Sequence, residues 1–235
     1  MDHRIATKVA AAAALALCVS GAQAADLDLS LHAEAGLGTS QYRIVPNGTW
    51  YQVGAADNHV ETRGMPWLVG VTGDIVTADR AGLSYHADYL DLGHLTSACQ
   101  CTTIDADYNH ETHLLIANAP TARYVGSGDV HGLKLSLAPY LSFGATRIGV
   151  EAGELIYADN WHESVYGWGA GMHLQPRNGS FSTASNIHAA HLLGIYATRD
   201  HLTVSYEWAH LQNNLSQRVP PLYVGMHALM VTYSF

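Results

Sequence analysis

The chain is short of charge. Asp, Glu, Lys and Arg make up only 13% of its 235 residues, against about a quarter in ordinary soluble domains. Lysine is very scarce, and the formal net charge is −9. That balance excludes nucleic acid as a partner, because phosphate recognition needs clustered Lys and Arg. Long apolar runs are also missing. Beyond the N-terminus no segment approaches the run of about 18 apolar residues that a spanning helix needs. The polarity that is present is mostly uncharged: Thr, Ser, Asn, Gln, 15 His and 13 Tyr.

The first residues read as a secretory leader. Arg4 and Lys8 give a positive start, and an apolar stretch runs from Val9 to Val19. Ala22-Gln23-Ala24 follows as a small-x-small cleavage site. Residues 1–24 are thus expected to be removed, leaving 25–235 as a single domain one unit more acidic. Cys18 raises lipidation as an alternative, but Leu17 stands before it where a small residue is required. An exported chain without a spanning helix is either a soluble secreted or periplasmic protein or a membrane β-barrel.

What is there is alternation. Leu27, Leu29, Leu31, Ala33, Ala35 and Leu37 share one parity, against Asp28, Ser30, His32, Glu34 and Gly36. The same period recurs at 67–75, 83–89, 133–141, 147–153, 202–208 and 227–235. Residues 188–198 are apolar on both parities, so a strand is expected there without assigned faces. That makes about eight strands. Their connections alternate short and long. The short ones are residues 77–80, 142–145 and 199–200; the long ones are 39–66, 93–130, 158–187 and 210–222. Structureless loops of that length are unusual in a compact domain. Strict alternation of tight turns with long loops is the pattern of an outer-membrane barrel. In lipid a sheet must close to pair every backbone group, so the last strand is expected to meet the first. Trp67, Tyr85, Tyr89, Tyr206, Trp208, Tyr233 and Phe235 can supply aromatic girdles.

A leader, eight alternating strands, four short-long pairs and a terminal Tyr233-Ser234-Phe235 together resemble the small eight-stranded outer-membrane barrels of Gram-negative bacteria, of the OmpX and OmpA-barrel type. The resemblance is architectural and covers residues 25–235. It implies an all-β, antiparallel, up-and-down transmembrane barrel, integral to the outer membrane, with short periplasmic turns and long extracellular loops. It implies outer-membrane lipid and lipopolysaccharide as surroundings. It also implies that barrel-assembly machinery reads Tyr233 and Phe235. The alternative is a soluble sandwich or lipocalin-like barrel with the apolar faces inward. The polar parity argues for the membrane form, because its charges are few and mixed with Gly and Ser.

On that parity His32, Glu34, His86, Asp88, Lys134, Arg147, Glu151 and Glu207 are expected to form a polar network filling a narrow interior, with Arg147 a counter-ion for Glu151. A proton or small-ion path is the functional alternative. Cys99-Gln100-Cys101 is placed in the second long loop, where an oxidising exterior favours a small strained disulfide. With His110 and His113 the same cysteines could bind metal, but the spacing matches no established site. No metal site and no cofactor are assigned. Ser205 with Glu207, and His86 with Asp88, are same-face neighbours, but neither pair is a triad and no GxSxG elbow is present. The expected function is therefore non-enzymatic: long polar and aromatic loops (residues 47–52, 159–173, 175–181) presented for adhesion, recognition of an extracellular ligand, or envelope integrity. A lipid A-modifying enzyme of the outer leaflet and a narrow pore are the alternatives.

Overall fold

A computed structural model describes residues 26–27, 30–44, 56–102, 108–109, 114–115, 121–168, 177–182, 187–211 and 223–235. The expected leader, residues 47–52 and His110 with His113 lie outside the described residues. Eight main strands are present: β1 (His32–Ile44), β2 (Trp67–Thr77), β3 (Ala81–Thr102), β4 (Thr121–Phe143), β5 (Thr146–Trp168), β6 (Ile187–Arg199), β7 (Leu202–Ala209) and β8 (Tyr223–Ser234). Each pairs antiparallel with its chain neighbours, and β8 returns to β1 from Tyr223↔Ile44 to Ser234↔Glu34. The ring of hydrogen bonds is closed, so this is the expected eight-stranded up-and-down barrel. No described helix is long and apolar enough to cross a membrane.

The tight connections fall where the turn residues predict. Gly144 (φ 64°) and Asp200 (φ 55°) take the left-handed backbone that two-residue hairpins need. The long connections differ from expectation. Residues 93–102, 121–130 and 158–168 are strand, because β3, β4 and β5 run for 22, 23 and 23 residues. At a rise of about 3.3 Å per residue these strands reach roughly 70 Å. Cys99 and Cys101 therefore lie on β3, in register with Tyr124 and Ala122, and not in a loop. Their side chains lie outside the described residues. The first strand also starts later than residue 27: Asp26–Leu27 pairs separately with β2, at Thr77 and Val76.

The faces sort cleanly. Leu31, Leu37, Val69, Leu133, Leu135, Leu137, Leu141, Ile148, Val150, Ile195, Val204, Leu229 and Val231 are exposed on the outside. On β4 this apolar band runs from Leu133 to Leu141. That is roughly 27 Å along the strand, or ~20 Å of height at a 40° tilt. At its turn end stand Phe143, Tyr233 and Phe235. At its other end Trp67 packs on Tyr89 (5.5 Å), Tyr89 on His131 (6.1 Å) and Tyr206 on His227 (5.8 Å). Strand β6 resolves the ambiguity of residues 188–198. Ala190, Leu192 and Tyr196 point in, while Ile187, Ile195 and Ala197 point out. Both parities are apolar because the interior at that height is apolar too.

Candidate functional site

The interior is layered, and the layers follow from which residue each strand brings to each height. At the turn end a vestibule of ≈ 380 Å³ opens between Asp74, Arg147, His32 and His201. Here Arg147 Nη1 donates to both Asp74 oxygens at 3.0 Å and its guanidinium lies 4.5 Å from the Tyr140 ring centre. Arg147 is thus not the counter-ion of Glu151. Four residues along an extended strand is about 13 Å, so the two side chains occupy different layers. His32 is exposed at the rim, with Nδ1 3.2 Å from the Phe235 carbonyl oxygen.

Above the vestibule lies a buried charge cluster. Lys134 Nζ sits 3.0 Å from Glu151 Oε1, 3.0 Å from Glu207 Oε1 and 3.6 Å from Asp88 Oδ2. All four side chains are essentially removed from solvent. Ser136 Oγ donates to Glu151, and Ser205 Oγ donates to Glu207 Oε1 at 3.1 Å. His86 Nδ1 is 2.8 Å from Glu34 Oε1. The structure therefore brings Glu34, His86, Asp88, Lys134, Glu151 and Glu207 together and leaves Arg147 and His32 below them. Ser205 was singled out with Glu207 as a catalytic possibility. It is buried inside the wall and donates a hydrogen bond at the floor of this cluster.

An apolar plug caps the charges. Leu68, Leu90, Leu92, Leu95, Leu155, Leu192, Met226 and Met230 fill the barrel with almost no exposure. A polar filling throughout was the expectation. The plug was missed because Leu90, Leu155 and Met230 share the parity of the charged residues, and parity says nothing of height. Among the described residues this layer fills the interior above the charges.

Beyond the plug, and above the outer apolar band, Trp161 crosses the interior. A Cβ at Gly126 or Gly128 would lie 2.6 Å from its ring atoms, so these glycines make room for the indole. Trp161 Nε1 reaches Glu163 Oε2 at 3.5 Å. Burial pushes the Glu163 carboxyl up to about 7, against the smaller opposing pull of Trp161. Burial likewise pushes Asp159 up, with His188 Nε2 3.5 Å away pulling it down. Between the ordinary Glu pKa and about 7 the folded state holds a proton that the unfolded state has lost, so stability falls as pH rises through that window. The fall is about 3 kcal/mol at most. Glu163→Gln should flatten it, as read from denaturant midpoints between pH 4 and pH 8; an unchanged slope would mean that Glu163 stays ionised.

No family model matches the chain, and no curated protein matches it. Solved structures that share its outline include two outer-membrane proteins. Ail, the attachment invasion locus protein of Yersinia pestis, solved with the heparin analogue sucrose octasulfate, is 9% identical. That likeness covers 88% of this chain and 100% of Ail at a TM-score of 0.38. The outer membrane protease OmpT of Escherichia coli is 7% identical, over 88% of this chain and 99% of OmpT, at a TM-score of 0.47. At these values neither likeness bears on what this chain binds or does.

Proposed function

We propose that this is a bacterial outer-membrane barrel, non-enzymatic, that holds a rigid recognition sheet above the membrane. The observation that supports this is the continuation of β3, β4 and β5 about ten residues past the apolar band. The continuation is hydrogen-bonded throughout, with Arg177–Ser182 added at the edge of β5. A membrane band needs only about 9–11 residues per strand, so the rest serves something outside. Its outward face carries Arg123 opposite Tyr166, with Asn160 and His162 exposed nearby. Aromatic and Arg side chains on a fixed backbone are suited to recognition at low entropic cost. The net charge of −9 favours a neutral or cationic partner over a polyanion. Lipid and lipopolysaccharide surround the band in this reading, and residues 1–24 are the cleaved leader.

The orientation is tested on intact cells in a background where Cys99 and Cys101 are Ser. Tyr166→Cys should react with a membrane-impermeant maleimide, and Ala145→Cys only after permeabilisation. The reverse pattern would end the proposal. Recognition is tested by attachment of a non-adherent Gram-negative host to cell surfaces. Expression should raise attachment, and Arg123→Ser with Tyr166→Ser should lower it. No gain on expression would leave envelope integrity as the role.

An assembly role for Tyr233 and Phe235 belongs to the same reading. Their rings meet edge to face at 5.1 Å, and Phe235 N donates to Ala33 O at 2.8 Å. Deleting Phe235 should reduce folded yield in cells more than refolding in detergent. Equal losses would make the residue merely structural.

A further inference from the structure

The charge cluster does not balance. Among the described residues it holds four carboxylates, Glu34, Asp88, Glu151 and Glu207, against one ammonium and one imidazole. Lys134 is committed to Glu151 and Glu207 at 3.0 Å. Asp88 is 1% exposed, and neither of its carboxylate oxygens has a hydrogen-bond partner. Lys134 at 3.6 Å is its nearest cation and lies beyond hydrogen-bond reach. A buried carboxylate in that state carries a large desolvation cost. A bound cation, or a proton held with a neighbouring carboxylate, offsets that cost. One ligand atom from each of Glu34, His86 and Asp88 lies within 4.8 Å of the others.

We infer that Glu34, His86 and Asp88 form a binding site for a divalent transition-metal ion, reached from the turn end of the barrel. The donor set is two carboxylates and one imidazole, which suits Zn²⁺ and its first-row neighbours better than Ca²⁺ or Mg²⁺. Tetrahedral bonds of about 2.0–2.2 Å place ligand atoms ~3.4 Å apart, so side-chain adjustments of about an ångström close the site. A space of ≈ 10 Å³ beside the three residues, also bordered by Thr232, is the size of about one water and supplies a fourth ligand. Access is built in, because His86 lines both this space and the open vestibule below it. An ion there also offsets the surplus carboxylate charge that Lys134 leaves. The inference is independent of the recognition proposal, since it concerns the other end of the molecule.

The test uses the mature barrel folded in detergent, untagged, in a background where His191 is Ala and Cys99 and Cys101 are Ser, which removes the exposed His191–Glu154 pair and both thiols. Zn²⁺ is the probe, with Co²⁺ for its ligand-field absorption. One Zn²⁺ per chain should remain after desalting. Co²⁺ should give a visible band that saturates at one equivalent and is displaced by Zn²⁺. Asp88→Asn, Glu34→Gln and His86→Gln should each weaken Zn²⁺ at least tenfold, and any one of them that folds decides the point. If none folds, the unmodified site decides: one tightly held ion supports the inference and none overturns it. Affinity unchanged in a folded variant also overturns it. In that case Glu34 and Asp88 share a proton instead.

Discussion

Lys134→Leu is expected to prevent the barrel from forming, or to lower its stability by about 3–5 kcal/mol. The substitution looks mild, since it places an apolar residue in a buried position. Its effect comes from what is left behind. Glu151, Glu207 and Asp88 surround the Lys134 Nζ and would face one another in a space closed above by Leu90 and Leu155. They must then take up protons or admit water. Refolding yield should collapse at neutral pH and recover partly in acid, because protonated carboxyls no longer need a counter-ion. Heat-modifiable migration on gels reads this directly. A folded Lys134→Leu barrel of normal stability at pH 8 would show that the carboxylates are held by something other than Lys134.

Leu135→Arg, one residue along, should cost about 2–4 kcal/mol in a lipid bilayer. Leu135 is exposed on the outside of β4, between Leu133 and Leu137 and near the middle of the apolar band. An arginine there meets hydrocarbon. The same change separates the membrane barrel from a soluble one. On a water-facing wall it would be neutral and would improve solubility. Denaturant titration in liposomes gives the number, and Arg123→Leu is the matched control above the band, expected to be near neutral. A neutral Leu135→Arg would overturn the lipid-facing assignment. The two predictions turn on adjacent residues and opposite rules: at 134 the cation is required, and at 135 it is forbidden.

That adjacency explains how much could be read from the chain. Alternation has period two, so every residue of a strand takes its face from its neighbours. The inward placement of Glu34, Asp88, Lys134, Glu151 and Glu207 needed no more than this. Height was the missing coordinate. Arg147 and Glu151 share a face yet lie in different layers, and which layer Asp74 or Lys134 joins depends on register across four or five strands. Ser136↔Gly153 and Gly194↔Glu207 are such pairings, and no local pattern announces them. The long strands failed for another reason. Past the band β4 reads Arg123-Tyr124-Val125-Gly126-Ser127-Gly128, with its large apolar residues on both parities and none dominant, so the hydrophobic contrast that marks a strand fades while its hydrogen bonds persist. Residues 188–198 were ambiguous because Leu192 belongs to the plug and Ile195 to the outer wall.

Lys134 is one of two lysines in the chain, the other being Lys8 in the expected leader. With the leader gone, the only side-chain amine of the protein is enclosed at the centre of the barrel, 3% exposed. Amine-selective acylating reagents would then find the amino terminus as the one accessible amine. A second acylation could occur only while the wall is open. Its rate therefore measures barrel opening in intact outer membrane, with no label, mutation or purification, and a mass increase at residue 134 would record each chain that had come apart.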